Sequence, residues 1–345
     1  MTTSTAIITG VTGQDGAYLA RLMLDRGWRV VGAHRRTSSG SFWRLEELGA
    51  YDHPDLELAA YDATDAGSIR LLIDKFEPAE IYNFAAQSFV GASFDQPVAT
   101  ADATGLGAVH LFEAVRASGA PIRVFQASTS EMFGKVAETP QRETTPFHPR
   151  SPYGAAKAYA YWMATNYREA HGAFISTAIM FNHESPLRGR EFVTRKITDA
   201  AARIRLGLAD ELRLGNLDAR RDWGFAEEYV EGVYALMRLD RPETVVLATG
   251  EQHSVRDFAG LAFAAAGFDL IWKGEGLDEI GVDRATGRTL VRIDPALRRP
   301  SEVDTLLGDA SRARDLLDWR PKTTLDDLAV MMVDADLKRL KPYAR

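Results

Sequence analysis

A short apolar run, Ala6-Ile7-Ile8-Thr9, passes directly into Gly10-Val11-Thr12-Gly13-Gln14-Asp15-Gly16 and then into a helical pattern from Ala17 to Arg26. A buried strand, a glycine-rich turn and an immediate helix form the first half of a βαβ unit. Such a unit needs a second, parallel strand. Arg29-Val30-Val31-Gly32-Ala33 supplies it after Gly27 stops the helix. Glu80-Ile81-Tyr82-Asn83-Phe84 and Ile122-Arg123-Val124-Phe125-Gln126 continue the alternation. Right-handed crossovers then put helices on both faces of a parallel sheet.

The expected fold is therefore α/β, a Rossmann-like doubly wound parallel sheet. After about Pro186 the pattern changes: arginine becomes frequent, and prolines and glycines cut the chain into shorter elements. Val245-Val246-Leu247-Ala248 still reads as a sheet strand. The expected division is residues 1–185 as a nucleotide-binding domain, with segments near 220–260 returning to it. Residues 186–345 mainly form a smaller, discontinuous C-terminal domain. Lys273 to Thr289 reads as a loop or hairpin. Leu325, Leu328, Ala329, Met332 and Val333 predict a last helix capped by Thr323 or Thr324.

Composition narrows the function. The chain has 345 residues and a net charge of −7, which argues against non-specific nucleic-acid binding. It has no cysteine, so disulfides, thiol catalysis and thiolate metal sites are excluded. No metal is expected. The N-terminus lacks the pattern of a signal peptide, and no apolar run is long enough for a membrane span. The expectation is a cytoplasmic protein with neither membrane nor nucleic-acid partner.

Chemistry on a doubly wound sheet gathers at the carboxyl ends of the strands. Glycines at 10, 13 and 16 let backbone amides approach a pyrophosphate at the start of the helix, with Val11, Thr12, Gln14 and Asp15 completing the loop. The G-x-x-G-x-x-G spacing is typical of short-chain reductases. At the end of the second strand, an NAD site usually carries an acidic residue for the ribose. This chain has His34-Arg35-Arg36, and guanidinium groups match a 2′-phosphate, so the expected cofactor is NADP. Asp62 and Ala63 are placed to reach the adenine. Ala85, Ala86, Gln87 and Ser88 are placed to run beside the ribose and phosphates.

Tyr153 and Lys157 share one face of a helix opened by Pro152. The ammonium is expected to lower the phenol's pKa and make it a base near neutral pH. Thr129, at the end of the strand before them, is the candidate hydroxyl for holding the substrate oxygen, ahead of Ser128 and Ser130. Glu131 adds a second acid/base group, although a solvated loop carboxylate is the usual fate of a glutamate.

These segments identify a resemblance. The chain resembles the extended short-chain dehydrogenase/reductases and, within them, the GDP-mannose 4,6-dehydratase family. The resemblance runs nearly end to end. It is carried by Ile8 to Gly16, Gln126 to Glu131, Arg150-Ser151-Pro152-Tyr153, Phe181 to Pro186, Phe192 to Ile197, Arg221-Asp222-Trp223-Gly224 and Arg299-Pro300-Ser301-Glu302. It implies that Thr129, Glu131, Tyr153 and Lys157 are catalytic. It implies that Gly10 to Asp15, Arg35, Arg36, Asp62, Ala63, Lys157, His183 and Arg188 bind NADP. Asn182, Val193, Lys196, Arg221, Arg299 and Glu302 would hold a GDP-sugar, with Ser88, Thr129 and Glu131 beside the sugar. Three departures stand out. The segment after Arg36 keeps its serines but not the Phe-Asn-Thr that usually follows them. Ala99 stands in place of a cofactor-contacting tyrosine, and Phe89 in place of a common histidine.

The implied activity is conversion of GDP-mannose to GDP-4-keto-6-deoxymannose and water by internal hydride transfer, in a homodimer or homotetramer. Its rivals are dehydration of a GDP-heptose, an NAD(P)-dependent nucleotide-sugar 4-epimerase or ketoreductase, and a non-enzymatic NADP sensor. Neither the epimerase nor the ketoreductase needs Glu131.

Overall fold

The alternation of strands and helices builds a seven-stranded parallel sheet in the computed structural model, which describes residues 4–38, 41–297, 301, 303 and 305–344. Its strands are β1 (Thr5–Thr9), β2 (Arg29–His34), β3 (Leu56–Ala60), β4 (Glu80–Asn83), β5 (Arg123–Thr129), β6 (Ile175–Met180) and β11 (Thr244–Leu247). The spatial order is β3-β2-β1-β4-β5-β6-β11, the order expected of a Rossmann-like sheet extended by one strand. The helices between them are α1 (Gln14–Asp25), α2 (Trp43–Glu47), α3 (Ala66–Phe76), α4 (Val90–Asp95), α5 (Pro97–Thr100), α6 (Gly107–Ser118) and α7 (Pro152–His171).

Alternating side chains bury both faces of the sheet. Ala6 and Ile8 enter one core with α1 residues such as Leu19 and Met23. Ile7 enters the other, with Ile69 and Leu72 of α3 and Leu111 of α6. All eight are at most 6% exposed, so truncating one of the larger ones to alanine should cost about 2–5 kcal/mol.

From residue 182 the elements shorten. β7 (Asn182–Glu184) pairs with β10 (Trp223–Phe225), and β9 (Arg220–Arg221) pairs with β12 (His253–Ser254). β13 (Leu270–Lys273), β14 (Ile280–Asp283) and β15 (Thr289–Ile293) form an antiparallel meander, with β8 (Leu212–Leu214) parallel to β15. The stretch from Lys273 to Thr289 is thus hairpin-like, not a bare loop. Helices α8 (Val193–Arg205), α9 (Ala226–Leu236), α10 (Val255–Ala265), α11 (Ser311–Leu317) and α12 (Leu325–Leu340) complete the chain. Thr324, not Thr323, caps α12 by accepting from the Asp327 amide. No helix among the described residues is long and apolar enough to cross a membrane. Among the same residues, no cluster of His, Cys, Asp and Glu could hold a metal ion.

Candidate active site

The carboxyl ends of β1 to β6 open into a cavity of about 1090 Å³. At its cofactor end, a Cβ on Gly16 would lie 2.4 Å from the Gly10 carbonyl oxygen. Only glycine lets α1 start that close to β1. Gly13 is the N-cap, no side chain caps the first turn, and Gly13 to Gly16 line the cavity. Amides left this way suit a phosphate. Of the residues expected to bind the cofactor, Val11 and Arg36 are absent from the cavity wall. The Val11 side chain is fully buried in the core. Arg35 lines the wall and Arg36 does not, because successive residues of an extended segment point opposite ways. Asp62, Ala63, Ala85, Ala86, Gln87, Ser88, His183 and Arg188 all line it. The Thr64 amide lowers the Asp62 pKa, helped by the Thr64 hydroxyl and more weakly by Arg35.

A buried polar ladder ties β1, β4 and β5 together. Thr9 Oγ1 donates to Asn83 Oδ1 at 2.6 Å and accepts from the Ala85 amide at 3.1 Å. Asn83 Nδ2 donates to Gln126 Oε1 at 2.8 Å, and Gln126 Nε2 donates to the Ala127 carbonyl at 3.0 Å. The same carbonyl accepts from Lys157 Nζ at 2.8 Å. Each buried group is satisfied, so the ladder stiffens the floor of the site.

β5 runs to Thr129, the strand end expected from the sequence, and Glu131 follows in a single turn of 3-10 helix. Ser151 caps α7 by accepting from the Gly154 amide at 3.0 Å, Pro152 occupies its first position and Gly172 ends it in a left-handed conformation. A Cβ on Gly154 would lie 2.7 Å from the Glu131 carbonyl oxygen. Glycine there lets the helix press Tyr153 against the Thr129–Glu131 segment. Thr129, Glu131, Tyr153 and Lys157 all line the cavity, and the last three are less than 9% exposed.

The expected effect of lysine on tyrosine needs correction. Burial raises the Tyr153 phenol, a hydrogen bond with the Thr129 side chain opposes it and the Glu131 charge adds to the rise. Lys157 Nζ lies 6.0 Å from the Tyr153 ring centroid and is turned to the Ala127 carbonyl. Burial also lowers Lys157 itself to about 8. The helical spacing predicts a shared face, but the side-chain directions separate the ammonium from the phenol.

β7 is fastened to the glycine loop. Gln14 Nε2 donates to the His183 carbonyl at 2.8 Å, and Ser185 Oγ donates to Gln14 Oε1 at 2.9 Å. His183 Nδ1 is 2.7 Å from the Phe181 carbonyl and its Nε2 is 3.1 Å from Asp15 Oδ1. Burial works to lower the His183 pKa, but the Asp15 carboxylate outweighs it and the net shift is upward. Among the described residues, Ser128 Oγ and Asn182 Oδ1 are buried in the wall without a hydrogen-bond partner. Unsatisfied groups of this kind mark a site built for a polar ligand.

Asn182, Val193, Lys196 and Arg221 line the same cavity. Burial lowers the Lys196 pKa, with Asp294 opposing. Arg299 and Glu302 lie outside the described residues. Several wall residues carried no expectation, among them Arg44, which donates to the Thr12 carbonyl of the glycine loop at 2.8 Å. Its helix is too short for periodicity to reveal which way it faces.

Residues 7–332 match the family described as GDP-mannose 4,6 dehydratase. A GDP-mannose 4,6-dehydratase of Sinorhizobium fredii is 52% identical over 341 residues, covering 97% of each chain. The chain belongs to the GDP-mannose 4,6-dehydratase family. A Homo sapiens relative of the same name is 46% identical, covering 97% of this chain and 92% of that one. Fold similarity reaches further. A UDP-glucose 4-epimerase from Bifidobacterium longum, solved with NAD+ and UDP, matches with a TM-score of 0.82 at 20% identity, covering 99% of this chain and 100% of that one. Two departures from the GDP-mannose 4,6-dehydratase family pattern now have places. Ala99 and Phe89 both line the cavity, and Phe89 packs edge-on against Phe192 with centroids 5.9 Å apart.

Proposed function

We propose that the chain is an NADP-dependent hydro-lyase that converts GDP-mannose to GDP-4-keto-6-deoxymannose and water. The observation that carries this reading is Glu131, a buried carboxylate on the turn that α7 touches through Gly154, beside Thr129 and Tyr153. Oxidation alone needs one acid/base group. Loss of water needs a second to move a proton from carbon to the departing hydroxyl.

Gly10, Thr12 to Gly16, Asp62, Ala63 and Ala85 to Ser88 would hold the dinucleotide, with Arg35 suited to its 2′-phosphate. Val11 would contribute only its backbone. Lys157, His183 and Arg188 would flank the nicotinamide end. When bound, the nicotinamide supplies a hydride acceptor at C4 and a hydride donor at C6, ending as it began. Thr129 holds the sugar's 4-oxygen, and Tyr153 takes its proton. The resulting 4-ketone acidifies the C5 proton, which Glu131 removes and passes to the 6-hydroxyl as water leaves; the proton that Tyr153 took balances the one C5 regains when C6 is reduced. Lys196 and Arg221, with Arg299, would neutralise the diphosphate, while Asn182 and Val193 complete the nucleotide end and Glu302 would accept from ribose hydroxyls. We assign residues 1–185 plus the returning β11 to the cofactor-binding part, and most of the remainder to the sugar-nucleotide part.

Incubation with GDP-mannose, followed by mass, tests the reading. Loss of one water without added NADPH is expected. An isomer would mean an epimerase, and a gain of hydrogen a ketoreductase; either result defeats the proposal. Self-association is assigned to the face where Tyr159 and Trp162 of α7 stand exposed beside Val98 of α5. Trp162→Glu should lower the sedimenting mass, and an unchanged mass removes that assignment.

A further inference from the structure

Three consecutive backbone carbonyls beside the cavity, those of Pro186, Leu187 and Arg188, are each held by a guanidinium. Arg195 Nη1 donates to the Pro186 and Arg188 oxygens at 2.8 and 2.9 Å. Its Nε and Nη2 grip the Asp336 carboxylate at 3.0 and 2.5 Å. Arg44 takes the middle carbonyl: its Nε donates to the Leu187 oxygen at 2.6 Å, while its Nη1 reaches the Thr12 oxygen of the glycine loop. The arrangement closes on itself. Asp336 also accepts from Arg339 at 3.3 Å, and Arg339 Nε donates at 3.0 Å to Glu47, on the same short helix as Arg44.

Arg195 and Asp336 are 2% and 1% exposed. A buried ion pair of this kind adds little net stability over an apolar substitute, yet it fixes geometry through its remaining donors. Those donors go to the loop that carries Arg188. Arg188 lines the cavity, pairs with Glu184 at 3.0 Å and lies 3.6 Å above the Phe192 ring centroid.

We propose that Arg44 and Arg195 are positioning residues that clamp residues 186–188 to the glycine loop and so hold Arg188 toward the cofactor, with Asp336 anchoring the clamp to the carboxyl-terminal helix. The inference rests on the reading, made above, that Arg188 binds the dinucleotide. Arg44 acts through the loop, not through the ligand.

NADPH titration of Arg44→Met, Arg188→Met and the double variant tests it, alongside hydrogen exchange at residues 187–190. The Leu187 and Arg188 amides are bonded to Ser185 Oγ and the Ser185 carbonyl at 3.0 Å each, so their protection is measurable. Arg44→Met should raise the NADPH Kd about tenfold, the scale of one charge-assisted hydrogen bond, and speed exchange at 187–190. The double variant should bind no more weakly than Arg188→Met alone, and Arg44→Lys should recover part of the loss. Parental affinity in Arg44→Met, or losses that multiply in the double variant, would overturn the clamp. If Arg188→Met binds like the parent, or the parent binds no NADPH, the cofactor reading fails and exchange alone decides. Unchanged protection in Arg44→Met then overturns the clamp, and faster exchange upholds its hold on the loop. Should Arg44→Met not fold, Asp336→Asn, which reaches the loop through Arg195 and, by way of Arg339 and Glu47, through the helix of Arg44, takes its place in each comparison.

Discussion

The wall of the cavity made by β1 to β6 and the wall made by β7, β9 and β10 are held together differently. In the first, strands of four to seven residues pair along their length, and the Thr9–Asn83–Gln126 ladder only adds to that pairing. In the second, the strands are two or three residues long, too short to hold position by backbone pairing. Single buried carboxylates bracket them. Asp222 accepts from the Thr249 amide and hydroxyl at 2.8 and 2.7 Å, from the Gly250 amide at 2.9 Å and from the Gly308 amide at 3.3 Å. Burial pushes its pKa up despite these four donors. The regular wall spreads its stability over many weak bonds, so it can carry costly functional groups. The irregular wall concentrates it in a few side chains.

Four substitutions press on that contrast. The largest effect is expected from Tyr153→Phe, which should cut turnover of GDP-mannose about 10³-fold while the thermal midpoint stays near the parent's. A large loss of stability would show that Tyr153 is a packing residue. Asp222→Ala on the opposite wall should do the reverse, lowering unfolding free energy by about 3 kcal/mol because several buried amides lose their acceptor. Urea unfolding measures this, and a change below about 1 kcal/mol would mean the irregular wall is held otherwise. Glu131→Gln should slow water loss about 10²-fold, while reduced nicotinamide still accumulates in a single turnover. Parental dehydration would remove the role given to Glu131.

The smallest expected effect concerns pH. Burial lowers Lys157 to about 8 from an ordinary value of 10.5. Between those values the unfolded chain binds more protons than the folded one, so stability rises with pH across that window. Below about pH 8 the buried charge costs on the order of 1–3 kcal/mol. Lys157→Met should therefore be inactive yet more stable than the parent at pH 7, with the advantage shrinking as pH climbs toward 10.5. A variant less stable at both ends would mean that the bond to Ala127 outweighs the desolvation.

Sequence reading succeeded where backbone pattern alone determines placement. The glycine loop, the strand ending at Thr129 and the Ser151–Pro152 start of α7 are local signals, and they bring Thr129, Glu131, Tyr153 and Lys157 to one cavity. A motif window overreaches when taken whole, since Val11 and Arg36 sit inside such windows but face elsewhere. Arg44, Arg195 and Asp222 were illegible in role for a different reason. Arg44 meets Leu187 across 143 positions, Arg195 meets Asp336 across 141 and Asp222 meets Gly308 across 86. No local period encodes such pairings. Tyr153 and Lys157 show the intermediate case: spacing predicted their shared face, but not where the ammonium turns.

The placement of β11 has a consequence for how the protein is made. The chain leaves the sheet at the end of β6, Met180, and returns only at Thr244 to cover that strand. While residues 181–243 are still being translated, β6 has an open edge, and open edges recruit other strands. A ribosome paused in that interval would present an almost finished sheet with the six-residue strand β6 bare at one margin, opposite the edge strand β3. Slow codons or nicks there would favour aggregation, whereas the same delay after residue 247 would find β6 covered and only the shorter β11 at the margin.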